Sequence, residues 1–201
     1  MLSPLRLLPA VVAALALVPS RPAVAAEPEF NGRSLSAWIG MLKDDPAPRK
    51  RRVAAVAVAQ IAAGRTDKET LTTAAQALGR AVRTDASAPV RQQAAVGLAQ
   101  MPPEEAVAAL ADLTEAMRSE QDPAARKQVA VALGGFGRAA RDAVTPLTQA
   151  LKDADPGVRA AAADTLGRIG QDARPATAAL LGLLKDADKA VRRAAVAAVA
   201  R

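Results

Sequence analysis

Apolar side chains recur at a helical spacing after arginines that lie at similar intervals along the chain. The residues three, seven and ten positions after these arginines are Ala, Val, Leu, Ile, Met or Phe. Such offsets place one apolar stripe on a single face of an α-helix. A proline two or three residues before each arginine fits the first helical turn, which needs no backbone N–H there. The pattern predicts a helix after each of Arg51, Arg91, Arg126 and Arg159.

A shorter helix is predicted ahead of each of these helices. Ser34 suits an N-cap position because its hydroxyl can accept from free amides, and Pro103 and Pro175 suit first-turn positions. Glycines that can adopt a left-handed conformation are expected to end the longer helices at Gly64, Gly137 and Gly170. No stretch alternates in the manner of a strand, so no strands are predicted. The shorter helices are expected at Ser34–Lys43, Asp67–Arg83, Pro103–Arg118, Thr145–Lys152 and Pro175–Lys185.

The chain repeats itself at a period of 33 residues in its last third. The segment Leu151–Asp155 recurs as Leu184–Asp188, and the pair Val158-Arg159 recurs as Val191-Arg192. Weaker copies at steps of 33 to 40 residues lead back to Arg51. Self-similarity at this period is typical of solenoids, in which each unit packs only on its neighbours. The predicted units span about 34–64, 65–101, 102–137, 138–170 and 171–201.

The stretch Leu151 to Gly170, LKDADPGVRAAAADTLGRIG, resembles a HEAT-like repeat of the phycobilisome-lyase type. The resemblance covers about residues 34–201 and is strongest in the last two units. It implies an all-α fold, an α-solenoid wound as a right-handed superhelix of about five HEAT-like two-helix repeats. It also implies scaffolding or partner binding more often than catalysis.

The N-terminal segment 1–26 is interpreted as a signal peptide. Arg6 precedes twelve apolar residues, Leu7 to Val18, and Ala23-Val24-Ala25 supplies a cleavage site. The apolar core is too short to span a membrane, which takes about 20 residues. We therefore expect export to the periplasm or the extracellular space, no transmembrane segment after cleavage, and a short linker at 27–33.

The amino-acid composition excludes most kinds of catalytic chemistry. The chain has no His and no Cys, which excludes imidazole acid–base catalysis, thiolate nucleophiles and the commonest transition-metal ligands. We therefore expect no enzyme activity, no catalytic residues, no cofactor and no metal. The net charge of +7 would suit a nucleic-acid partner, but acids are interspersed and only three aromatics are available for stacking. No nucleic-acid partner is expected.

Charged residues recur with the repeats. They admit two interpretations: a surface that grips an acidic ligand, or a structural ladder in which each Asp caps a helix and each Arg bonds a neighbouring turn. Stacked repeats place equivalent positions in register, so the structural ladder is favoured. Its predicted members are Arg91, Arg126, Arg159, Arg192, Asp122, Asp155 and Asp188.

A protein partner of unknown identity is the predicted ligand, bound on the face of the longer helices. The exposed positions are expected one and five residues after each repeat arginine, at Gln92, Val96, Lys127, Val131, Asp164 and Arg193. One alternative is a structural module that self-associates through an uncapped C-terminal helix. Another is a lyase-like enzyme accessory protein. Trp38 is interpreted as core, and the basic run 49–52 as the solvated start of a helix.

Overall fold

The structure, a computed structural model, describes residues 27–201; the candidate signal peptide at 1–26 lies outside the described residues. Helices follow one another in antiparallel pairs, one pair for each predicted repeat. The α-helices are α1 (Leu35–Asp44), α2 (Pro48–Ala63), α3 (Lys68–Thr84), α4 (Ala88–Ala99), α5 (Pro103–Ala106), α6 (Leu110–Ser119), α7 (Pro123–Gly135), α8 (Val144–Ala150), α9 (Pro156–Ile169), α10 (Thr177–Gly182) and α11 (Lys189–Val199).

The second helices of the units, α2, α4, α7, α9 and α11, pack side by side in that order. Glycine permits their close approach. A Cβ atom on Gly97 would lie 2.9 Å from the Cβ of Ala59, and one on Gly167 would lie 2.7 Å from the Cα of Ala198. Small side chains therefore set the distance between units, which explains how a chain with few aromatics builds a continuous core.

The first helices of the later units are shorter than the apolar pattern predicts. The expected helix at 103–118 is divided into α5 and α6 by a 3₁₀ segment, Val107–Ala109. Further 3₁₀ segments, Gly137–Ala143 and Gly170–Ala176, precede α8 and α10. Pro175 lies inside the last of these segments, so its predicted place in the first turn of an α-helix is wrong. The segments Gly137–Ala143 and Gly170–Ala176 carry the chain from a second helix to the next first helix.

The glycines at the ends of the second helices differ from one another. Gly137 and Gly170 have φ values of +50° and +74°, as expected for residues that end a helix outside the α region. Gly64 has a φ of −90°, so its predicted left-handed conformation is wrong. Ser34 caps α1 as predicted, because its Oγ accepts from the backbone N–H of Ala37 at 3.3 Å.

A short hairpin closes the N-terminal end of the array, where no strands were predicted. Strands β1 (Glu29–Phe30) and β2 (Arg33–Ser34) pair antiparallel around Asn31-Gly32, whose φ values of 51° and 71° suit a type I′ turn. The Asn-Gly dipeptide was the signal for this turn in the sequence. The segment at 27–33 is thus folded structure packed on α1 and α2 rather than a free linker.

Candidate binding surface

The predicted binding residues lie on neighbouring second helices. Gln92 and Val96 are on α4, Lys127 and Val131 on α7, Asp164 on α9 and Arg193 on α11. These helices pack consecutively, so the positions one and five residues after each repeat arginine form two rows across the array. Lys127, Val131 and Arg193 are exposed, whereas Gln92, Val96 and Asp164 are half-buried. The structure thus brings the predicted residues together on one side of the molecule, which we call the second-helix face.

Three valines form the apolar part of this face. Val56, Val96 and Val131 occupy the same position on α2, α4 and α7, and Val131 is 43 % exposed. We call them the valine row. Val56 was missed at the sequence level, although it lies five residues after Arg51 as Val96 does after Arg91. Arg52 follows Arg51 as Lys127 follows Arg126, and it is exposed. It therefore extends the row of positions that contains Lys127.

Asp164 is less available to a partner than the pattern predicts. Its carboxylate accepts from Nε of Arg168 at 2.8 Å and from Nη1 of Arg201 at 3.2 Å. The face accordingly changes character along the array. It carries valines and cations on α2, α4 and α7, and an ion-pair cluster of Asp164, Arg168 and Arg201 at α9 and just after α11.

A second set of charged residues forms a ladder through the interior of the stack. Each of the first four ladder arginines donates from Nε, and three of them also from Nη2, to the carboxylate of an acid in the following unit. Nη1 donates at the same time to the backbone carbonyl of the acid six residues before it, as from Arg91 to Asp85 at 2.9 Å. The arginine therefore ties its own turn to the next one. The pairs are Arg51–Asp85, Arg91–Glu120, Arg126–Asp153 and Arg159–Asp186, with N–O distances of 2.6 to 2.9 Å.

The ladder acids, six residues before each ladder arginine, were not among the predicted ladder members. They are Asp45, Asp85, Glu120, Asp153 and Asp186. The six-residue offset, which is constant in all units, was the available signal. Each carboxylate also accepts from the backbone N–H two residues on, for example from Asp155 to Asp153 at 2.8 Å.

The aspartates predicted for the ladder lie next to it. Asp122, Asp155 and Asp188 are the N-cap residues of α7, α9 and α11. Asp155, for example, accepts from the N–H of Val158 at 2.9 Å. Capping satisfies amides that have no intrahelical partner. The three aspartates thus cap helices as expected, while Arg91, Arg126 and Arg159 bind other acids. Arg192 donates only to the carbonyl oxygens of Asp186 and Ala187 within residues 27–201.

Four of the ladder carboxylates, those of Asp85, Glu120, Asp153 and Asp186, have lowered pKa values that favour their ionised form. For Asp85, Glu120 and Asp153, burial by itself would raise the pKa, but hydrogen bonds from the ladder arginine and from a backbone N–H outweigh it and lower the pKa. For Asp186, the hydrogen bond from Arg159 is the main cause of a lowered pKa. Each of these carboxylates is paired with an arginine, and none of them provides a general acid or a general base at neutral pH.

An open cleft of about 400 Å³ lies between α1 and α3. Ile39 and Leu42 form part of its apolar wall, and Arg80 is exposed at its edge. Arg51 and Asp85 also line it but bind each other.

Residues 27–201 hold no cluster of metal-binding side chains. No group of three or more Asp or Glu side chains converges there as a metal site would require. None of the helices in that range is both long enough and apolar enough to cross a bilayer. Trp38 is buried, which confirms its interpretation as core.

Similarity to solved structures extends over most of the chain. The crystal structure of an engineered protein aligns with a TM-score of 0.66 and 23% identity, covering 83% of this chain and 78% of the other. A second engineered protein gives 0.64 and 23%, covering 82% and 46%. The complex of CpcE and CpcF of phycocyanin lyase from Nostoc sp. PCC7120 gives 0.59 and 22%, covering 82% and 96%. At these identities the likeness concerns the fold.

A family model described as HEAT repeats matches residues 110–200, whereas no curated protein sequence matches the chain. The predicted resemblance to HEAT-like repeats is confirmed. Solenoids of this kind present extended surfaces, and a HEAT-repeat fold suggests a protein–protein interaction scaffold. Residues 110–200 match the HEAT-repeat model, and the described chain is an α-solenoid built throughout on the same two-helix plan.

Proposed function

We propose that the protein is an exported, non-catalytic scaffold that binds a protein partner on its second-helix face. The observation that carries the proposal is the valine row, an apolar strip that crosses three consecutive helices. Arg52 and Lys127 lie beside it, each exposed and four residues before a valine of the row. An extended segment with apolar and acidic side chains would complement such a strip.

The test is capture of the partner with a photo-crosslinking amino acid at Val131, in the cells that naturally produce the protein. We expect one adduct, which disappears when Lys127 is changed to Glu because the charge complementarity is reversed. Val107 is the matched control, since it is 50 % exposed on the first-helix side. Equal capture from positions 131 and 107, or none from 131, would contradict binding at this face.

Export is proposed from the N-terminal segment alone. The basic start, the short apolar core and the Ala23-Val24-Ala25 site support cleavage after Ala25 or Ala26. N-terminal sequencing of the protein recovered from its native compartment tests this. A mature chain that begins at Met1 would rule it out.

The absence of catalysis is supported by the composition and by the ladder. The chain lacks His and Cys, and the buried carboxylates of Asp85 and Glu120 are bound by arginines. Because one similar structure is a phycocyanin lyase, a bilin is the informative probe for the lyase-like alternative. Mixing the purified protein with a bilin should leave the visible absorbance unchanged, and a shift would favour the alternative.

Self-association through α11 is the alternative for which a specific observation exists. Val196 and Val199 on this helix are 59 % and 42 % exposed. Light scattering over a range of concentrations would show the mass of a dimer if two copies pair at this helix, and removal of residues 189–201 would abolish it. A constant monomer mass would contradict the alternative.

A further inference from the structure

The first helices α1 and α3 pack against each other less closely than α3 packs against the first helix of the next unit. In the latter pair Gly79 permits a close approach, since a Cβ atom on it would lie 2.8 Å from the Cβ of Ala109, just before α6. Gly79 lies six residues before the ladder acid of its unit, and the residue at this position on α1 is Ile39. The larger side chain of Ile39 holds α1 and α3 apart, and the cleft of about 400 Å³ lies between them.

The same comparison shows that Lys43 lacks a partner on the neighbouring helix. In the next unit the equivalent residue, Arg83, donates from Nε to the carboxylate of Asp112 on α6. The position of Asp112 is occupied on α3 by Ala77. Lys43 has only its neighbour Asp44 nearby, with Nζ and Oδ1 3.9 Å apart and the lysine side chain 65% exposed. An exposed pair of this kind contributes little, so the charge of Lys43 remains available to a ligand.

A second cation lies one helical turn from Ala77. Arg80 is exposed, follows Ala77 by three residues on α3 and lines the cleft together with Lys43. Within residues 27–201, Arg80 forms no ion pair. Among the described residues, Asp85 supplies the one carboxylate of the lining, and it accepts from Nε and Nη2 of Arg51 at 2.7 and 2.9 Å. The cleft therefore has two cations that its own acid does not neutralise.

The inner part of the cleft is apolar and short. Its buried and half-buried walls are formed by Ile39, Leu42, Ala77 and Ala81. The polar side chains of Thr73 and Gln76 line it at exposed positions. Helix α1 has 10 residues, which corresponds to a wall of about 15 Å. The volume lies within the range of small-molecule sites, about 300–1,000 Å³.

A peptide is poorly matched to these walls. Each residue of a peptide brings a backbone donor and an acceptor, which need partners when water is displaced. Helices α1 and α3 use their own backbone groups internally, and the hydroxyl of Thr84 donates to the carbonyl of Arg80 at 2.8 Å. An alkyl chain needs no such partners. The cleft thus favours a ligand with an apolar chain and a single anionic group.

We propose that the cleft between α1 and α3 binds a medium-chain alkyl carboxylate, with its carboxylate between Lys43 and Arg80. The ligand's carboxylate takes the place that Asp112 has beside Arg83 in the next unit. Its chain lies against Ile39, where an extended chain of about ten carbons matches the length of the α1 wall. The site is on the first-helix side of the molecule, so it is separate from the second-helix face and goes beyond the function proposed above.

Titration calorimetry of the purified protein with decanoate, below the concentration at which it forms micelles, tests the site. We expect one equivalent to bind, and decyltrimethylammonium, which has the same chain and the opposite charge, to bind at least about tenfold more weakly. Arg80→Gln should weaken decanoate binding about fivefold, because a charge-assisted hydrogen bond is lost. Ala77→Asp should weaken it about tenfold, because Lys43 then has a carboxylate on the neighbouring helix, as Arg83 does.

Ala111→Asp is the matched control, since it adds the same charge at an exposed position of α6 outside the cleft. Its affinity for decanoate should equal that of the unchanged protein. Methyl NMR locates the ligand. The chain has three isoleucines, of which Ile39 lines the cleft and Ile61 and Ile169 do not, so decanoate should shift the signal of Ile39 alone.

The proposal is overturned if decanoate does not bind, if decyltrimethylammonium binds equally well, or if the Ile39 signal does not move. An unchanged affinity in Arg80→Gln and Ala77→Asp, or an equal loss in Ala111→Asp, also overturns it. A peptide of alternating Leu and Asp that displaces decanoate and binds more tightly would identify a peptide site instead. Thermal unfolding checks that the variants are folded, and Arg80→Gln, at an exposed position, decides if Ala77→Asp does not fold.

Discussion

The first and last units of the described array differ in whether their outward surface is covered. At the N-terminal end Trp38 is buried, its Nε1 donates to the carbonyl of Phe30 at 2.9 Å, and Arg33 stacks 5.3 Å from its ring centroid. At the other end Val196 and Val199 are exposed and Arg192 has no carboxylate partner within residues 27–201. A repeat position is thus buried or exposed according to its neighbour, and its own sequence does not decide between them.

The largest expected effect is at the closed end. Trp38→Ala removes a buried aromatic side chain and the hydrogen bond that holds the hairpin, which should lower the free energy of unfolding by about 3–5 kcal/mol. Val199→Ala in the last unit should change the free energy of unfolding by less than about 0.5 kcal/mol, because the side chain is exposed and makes few contacts. Urea unfolding followed by circular dichroism measures both. Similar losses at the two positions would show that the ends do not differ.

Removing an interior ladder arginine should lower the free energy of unfolding more than removing Arg192, the last one. Arg126→Ala leaves the carboxylate of Asp153, whose side chain is 9 % exposed, without its partner, at a cost of about 3 kcal/mol. Arg192→Ala should cost about 1 kcal/mol, since only hydrogen bonds to backbone carbonyls are lost. Arg118 is an exposed control, and its removal should be nearly neutral. Equal losses at 126 and 192 would place an unseen carboxylate at the terminal arginine.

Adding a methyl group between second helices should lower the free energy of unfolding only where a following unit packs against that position. A Cβ on Gly134 would lie 2.9 Å from Oγ1 of Thr165, so Gly134→Ala should cost about 1–3 kcal/mol. Its neighbour Gly135 faces open space, and Gly135→Ala should stabilise the helix by about 0.5 kcal/mol. At the open end Ala200→Val should be neutral within about 0.5 kcal/mol. Differential scanning calorimetry of the three variants would detect a reversal of this order.

Acid should weaken the ladder in the direction set by its lowered pKa values. Hydrogen bonds keep the pKa of Asp153 below its ordinary value in the folded chain, although burial opposes them. Its contribution to stability is therefore complete above the unfolded pKa of about 3.9 and is lost as the pH falls through the folded value. The melting temperature should decline below about pH 4. Asp153→Asn should make this decline shallower, and an unchanged slope would contradict the assignment.

Helix positions and repeat order followed from the sequence because both depend on local periodicity. The apolar stripe after Arg126 predicts α7. Asp122 caps this helix, as expected for a short polar residue directly before a proline that starts a helix. The breaks in the first helices did not follow, since the tight turns around Gly137 and Pro175 are set by how each unit docks on the previous one. The hairpin at residues 29–34 was missed because its strands are two residues long, although Asn31-Gly32 marks the turn.

The candidate surface was predicted in part. A fixed offset from the repeat arginines was enough to find Val96, Lys127 and Val131, because stacked units place equivalent residues in rows. The offset could not show that Asp164 is engaged by Arg168 and Arg201, since Arg201 reaches it from the next unit. Contacts between units bring together residues that are far apart in the chain, and a fixed offset gives the row in which a residue lies but not the side chain that it meets.

By itself, the sequence determined the all-helical class, the two-helix unit and the lack of imidazole and thiol chemistry, because these depend on local spacing and residue type. Only the tertiary structure decided which acids the ladder arginines bind, that the hairpin covers the first unit, and that Arg192 has no carboxylate partner within residues 27–201. The reason is physical: burial and ion pairing are properties of two surfaces in contact. Five nearly equivalent units become different only through the neighbours that the fold gives them.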